Sequence, residues 1–226
     1  MRRTALKDRQ LPDYTREEER FNMISHIIGA LFGVYALINC LIKSNMNQNI
    51  YQTIASIVFG LSLIVLYSVS SIYHGLILEK PKKVMQIIDH CTIFVLIAGT
   101  YTPITLCSLR EYNQMLGWAV FTIGWGISII GIILNAIDLR KYKKLSLACY
   151  LIQGWCIIFT GIDAIKAIGI NGFMWLVIGG LFYSIGALLY AIASNRIHRY
   201  MHSIFHIFVV LGSIMHFICI INFVLI

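Results

Sequence analysis

Seven stretches of mostly apolar residues, joined by short polar links, limit what this chain can become. They cover residues 21–42, 50–78, 84–107, 115–137, 145–164, 172–193 and 201–226. A bilayer core about 30 Å thick takes about 20 helical residues to cross. A helix closes its backbone hydrogen bonds within itself, so it crosses without stranding N–H and C=O groups in hydrocarbon. The chain therefore reads as an all-α polytopic membrane protein. A polar tail over residues 1–20 precedes one seven-helix transmembrane domain over residues 21–226.

Composition excludes the main alternatives. Hydrophobic residues make up 58% of the 226 residues and charged residues 12%, against about 25% charged in a soluble domain. One globule of this size cannot hide that much apolar surface from water. The net charge of +8 does not indicate nucleic-acid binding, because the basic residues fall in short clusters between apolar runs. The six cysteines all lie in apolar segments without a C-x-x-C pair, and read as small core residues. The tail is too polar and too mixed in charge for a signal peptide, so the first apolar run reads as an uncleaved helix.

Lys and Arg sort to one side. The tail holds Arg2, Arg3, Lys7, Arg9, Arg16 and Arg20. The second, fourth and sixth links hold Lys80, Lys82, Lys83, Arg140, Lys141, Lys143, Lys144, Arg196 and Arg199. The other side holds Lys43, Arg110 and Lys166, a split of fifteen to three. The positive-inside rule then places the N-terminus in the cytosol and the C-terminus outside. Gly29 and Gly33 in the first span, and glycines in the fourth and sixth, suit close helix packing.

Ionisable residues inside a bilayer are costly and point to function. His26, His74, Asp89, His202 and His206 come from four spans, yet the topology puts them all in the cytosolic third. His216 lies about 15 Å further out, at 1.5 Å per residue. Asp163 sits near an outer helix end, within reach of the interface. His202 and His206 are an i, i+4 pair, so both rings project from one helical face, a spacing that suits one metal ion. Ser70 and His74 share a face in the same way, and Asp89 offers a carboxylate from the third span. Two readings stand: interhelical hydrogen bonds among histidines, or a zinc site with three imidazoles and an open fourth position.

Three motifs resemble a known family. Glu19, Asn22 and His26 form E-x-x-N-x-x-x-H; Ser70 and His74 form S-x-x-x-H, with Asp89 following; His202 and His206 form H-x-x-x-H, with His216 beyond. In this order, over nearly the whole chain, they resemble the bacterial hemolysin III branch of the progestin and adipoQ receptor family. That family lies within a wider seven-helix superfamily that includes alkaline ceramidases. The resemblance implies zinc held by His74, His202 and His206, with Asp89 beside the zinc-bound water and Ser70 next to the site. Glu19, Asn22 and His26 either support the site from behind, or Glu19 and Asn22 satisfy backbone groups at the helix start. Pro103, with Gly99, is expected to kink the third span, and His90, 100° around the helix from Asp89, to face another neighbour.

The expected function is zinc-dependent hydrolysis of a lipid amide or ester at the cytosolic side of a bacterial plasma membrane. Asp89 would act on the attacking water and Ser70 on the developing oxyanion. The alternatives are a non-enzymatic sensor or membrane-homeostasis protein with structural zinc, and a hemolysin-like pore or transporter. The expected partner is a membrane lipid and not a nucleic acid; the sequence specifies no protein partner.

Overall fold

The computed structural model describes residues 4–193 and 199–226. Arg2, Arg3 and Arg196, which entered the charge count, lie outside the described residues. The described chain is helical throughout, without a strand. The helices are α1 (Arg16–Met46), α2 (Ile50–Gly75), α3 (Glu79–Pro103), α4 (Gln114–Trp155), α5 (Gly161–Ala193) and α6 (Met201–Cys219). Among the described residues, five helical stretches are long and apolar enough to cross a membrane, one of them running over residues 114–192.

Local chemistry sets the helix starts. Thr15 caps α1 by accepting from the Glu18 N–H, while the Glu18 carboxylate accepts from the Thr15 N–H. This capping box satisfies two donors that the first turn leaves free. Asn49 caps α2 by accepting from the N–H groups of Tyr51 and Gln52. Pro103 does not break α3: its dihedrals stay helical, and the chain runs on through a widened turn, Ile104–Leu109, to Arg110–Tyr112. A wider turn accommodates the missing proline N–H without ending the helix.

Three interruptions lie in the long apolar stretch: a tighter 3-10 turn over Cys156–Thr160 between α4 and α5, and one break inside each of these helices. In α4, Asp138 adopts φ −158° and ψ 93°, separating residues 114–137 from 139–155. In α5, Gly169 adopts φ 71° and ψ 163°, separating residues 161–168 from 170–193. A positive φ of this kind favours glycine, which has no Cβ to clash.

The packing turns apolar residues outward. On α1, Ile24, Ile28, Leu31, Tyr35, Ile38 and Ile42 are exposed at helical spacing, whereas Asn22, His26, Gly29 and Gly33 are buried. A Cβ at Gly29 would overlap the Tyr67 ring, so glycine lets α1 lie close on α2. The core gathers around Phe59, Leu63 and Tyr67 of α2 and Leu96, Tyr101 and Ile104 from α3 onward. α6 packs chiefly on α5 and also touches α1, which brings its first turns to the ends of α1 and α2.

Candidate metal centre

Four helices bring their polar residues to one place. α2 ends with His74, and α6 begins with His202 and His206. Two cross-links hold these helices in register. The Tyr67 hydroxyl donates to the Val209 carbonyl at 3.2 Å and lies 2.6 Å from Ser213 Oγ, joining α2 to α6. The Ser203 hydroxyl donates to Asn22 Oδ1 at 2.7 Å, joining α6 to α1.

His74, His202 and His206 are all buried, and one ligand atom from each lies within 4.8 Å of the other two. His74 Nδ1 donates to Glu19 Oε2 at 2.6 Å. That bond fixes the proton on Nδ1 and leaves Nε2 with its lone pair. His74 Nε2 is buried and has no hydrogen-bond partner within the protein. The Nε2 atoms of His202 and His206 face each other at 3.0 Å. Three imidazoles with converging nitrogens, one of them buried without a partner, fit a metal ion, and the neutral-nitrogen donor set suits zinc.

The flanking residues divide their work. Glu19 also accepts from Lys82 Nζ at 2.7 Å, and Lys82 donates to the Leu76 carbonyl at 3.0 Å. A carboxylate behind a ligating histidine orients its ring and raises its basicity. The helix-start role falls to Glu18, not to Glu19. Glu18 also accepts from the Tyr200 N–H at 2.8 Å, which ties the start of α6 to α1. Burial pushes the Glu18 carboxyl up, but hydrogen bonds from Thr15 and Tyr200 and the charge of Arg199 bring it below the usual range. The His26 ring stacks on His206 with centroids 3.7 Å apart and meets Tyr67 edge-on.

Asp89, Ser70, His26, His202 and His206 line one end of an internal chamber of about 140 Å³. The rest of its wall comes from Leu66 of α2, from α3, from residues 147–155 of α4 and 180–190 of α5, and from α6. His90 also lines it beside Asp89, 6.0 Å from the Tyr190 ring, so the two neighbours share the chamber.

The sequence profile described as Haemolysin-III related matches residues 14–217. The chain belongs to this family. Hemolysin-3 of Bacillus cereus is 37% identical over 209 residues, 92% of this chain and 93% of the relative. The Hemolysin-3 homolog of Bacillus subtilis (strain 168) is 33% identical over 207 residues, 92% and 94% of the two chains. Monocyte to macrophage differentiation factor of Homo sapiens is 24% identical over 210 residues, 88% of this chain and 82% of the relative, and carries the link to the progestin and adipoQ receptor family. The motifs that suggested hemolysin III thus come from a family member with multi-pass helical character.

Three neighbours of the site carried no signal in the sequence. Tyr14 stacks on His202 with centroids 4.8 Å apart, yet it lies in the polar tail. Lys82 read only as a charge in a link, and Glu18 carried no reading. Their positions depend on how the chain folds across the helix ends, which residue spacing does not encode.

Proposed function

We propose that this protein is a seven-span membrane hydrolase that uses zinc to cleave a lipid amide or ester at the cytosolic face. The observation that carries the reading is the convergence of His74, His202 and His206 within 4.8 Å, beside Asp89 and at one end of a largely apolar chamber. The seven-span topology draws support from the breaks at Asp138 and Gly169. The 79-residue apolar stretch they divide would be about 120 Å long as one helix, far more than a bilayer core. The fifteen-to-three charge split supports a cytosolic N-terminus and a bacterial plasma-membrane location.

His74, His202 and His206 would hold the zinc, with Glu19 orienting His74 from behind. Zinc bound there supplies Lewis acidity and lowers the pKa of a bound water toward ~7. Asp89 accepts a proton from the attacking water and returns it to the leaving group. Ser70, on the same chamber wall, donates to the oxyanion that develops on the substrate carbonyl. The apolar chamber holds the hydrocarbon chain of the substrate.

Two other readings have less support. A structural zinc needs no carboxylate in an adjoining chamber and more often has four protein ligands. A pore, which the name Hemolysin-3 of the relatives evokes, needs polar groups across the membrane. Beyond the cluster around Asp89, tyrosines aside, His216 is the ionisable residue on the described chamber wall.

The test is a screen of long-chain lipid amides and esters with purified protein and its Asp89→Asn variant. The hydrolase reading expects turnover that falls at least ~100-fold in the variant while zinc content stays equal. Equal turnover in both proteins, or none in the zinc-loaded wild type, overturns it.

A further inference from the structure

The chamber has a second polar end that the proposed chemistry does not use. His216, 7% exposed, lines it on α6, ten residues beyond His206 and so about 15 Å from the metal centre. His216 Nε2 lies 3.1 Å from the Leu176 carbonyl. A carbonyl only accepts, so Nε2 carries the hydrogen, and Nδ1 of a neutral ring offers a lone pair. That Nδ1 is buried and has no hydrogen-bond partner within the protein. Gly179 makes room for the opposite edge, since a Cβ there would overlap Nε2 and Cδ2 of the ring.

The surrounding groups have the same one-sided character. Thr100 donates its hydroxyl hydrogen to the Leu96 carbonyl, Tyr101 to Gly154 and Ser184 to Gly180. Trp155 Nε1 donates to Ser184 Oγ at 2.8 Å. The Tyr67 hydroxyl donates to Val209, so Ser213 donates to Tyr67, and Tyr183, 2.7 Å from Ser213, donates to Ser213. Each hydrogen is thus directed at a protein acceptor, while lone pairs remain on His216 and Tyr183. No lysine or arginine lines the chamber among the described residues.

We propose that this end of the chamber is a subsite for a hydroxyl group borne on the hydrocarbon chain of the lipid, with His216 Nδ1 as its acceptor. A carboxylate or carbonyl there finds no free donor, whereas a hydroxyl supplies the missing hydrogen. The inference rests on the lipid-hydrolase reading and narrows its substrate to long-chain lipids with a hydroxyl roughly 15 Å from the bond that is cleaved.

The test is binding of stearate, 12-hydroxystearate and 12-methoxystearate to the full-length, zinc-loaded protein in detergent. The hydroxy acid is expected to bind about ten-fold more tightly than stearate, the size of one neutral hydrogen bond. The methoxy acid, which accepts but cannot donate, is expected to match stearate. In His216→Phe the preference is expected to vanish while stearate binding persists. The comparison of the three acids on the wild type stands alone if that variant fails to fold. Equal affinity for stearate and 12-hydroxystearate, or tight binding of the methoxy acid, overturns the subsite and leaves the hydrolase reading intact. No binding of any acid by zinc-loaded protein overturns both.

Discussion

At His74 one ring nitrogen is held and the other is offered. Glu19 Oε2 accepts a hydrogen bond from Nδ1–H at 2.6 Å, and Lys82 Nζ donates to the other carboxylate oxygen at 2.7 Å. Glu19→Gln keeps the shape but removes the charge, so it is expected to weaken metal affinity 10- to 100-fold, measured by competition with a chelator. Asn22→Ala leaves the buried Ser203 hydroxyl without its acceptor. It is expected to lower unfolding stability by about 1–3 kcal/mol, read in detergent as a lower midpoint at unchanged zinc content. The three ligand candidates were legible because i, i+4 spacing and span polarity together fix both face and depth. Tyr14 was not, because its stacking on His202 depends on the tail folding back over the end of α6.

The breaks in α4 and α5 are events of the element scale. Asp138 accepts from the Lys141 N–H at 3.1 Å and so caps the arm that follows. It also accepts from the Thr4 N–H at 2.8 Å, tying the tail to the break. Burial pushes its carboxyl up, but these bonds and the charge of Arg9 outweigh that and hold it at about 2, below 3.8. Its stabilising contribution is therefore complete above about pH 4 and lost as the pH falls toward 2. Asp138→Asn is expected to flatten that part of the pH–stability profile and to speed amide exchange at Thr4. Gly169→Ala places a side chain at φ 71° and is expected to destabilise the fold by about 1 kcal/mol. Both breaks fall in links that the sequence marked as polar or between apolar runs. The widened turn after Pro103 did not follow from sequence, because a proline signals a lost hydrogen bond without specifying how the helix absorbs it.

For the whole molecule, the apolar runs carried the all-helical architecture, since lipid admits few ways to satisfy a backbone. The chamber was invisible at that level, because it arises where α3, α4, α5 and α6 meet. Alkaline phosphatase fused after Ile226 is expected to be active outside the cell, and the same fusion after Arg140 inactive; the reverse pattern would overturn the proposed orientation. The central claim is that four helices converge to hold a metal ion. Its most direct test is elemental analysis of detergent-purified protein beside the His202→Ala, His206→Ala double variant. The account predicts about one zinc per chain, lost in the double variant while the helical circular-dichroism signal persists. A wild type that takes up no zinc even when metal is supplied during purification, or a double variant that binds as much as the wild type, would contradict it.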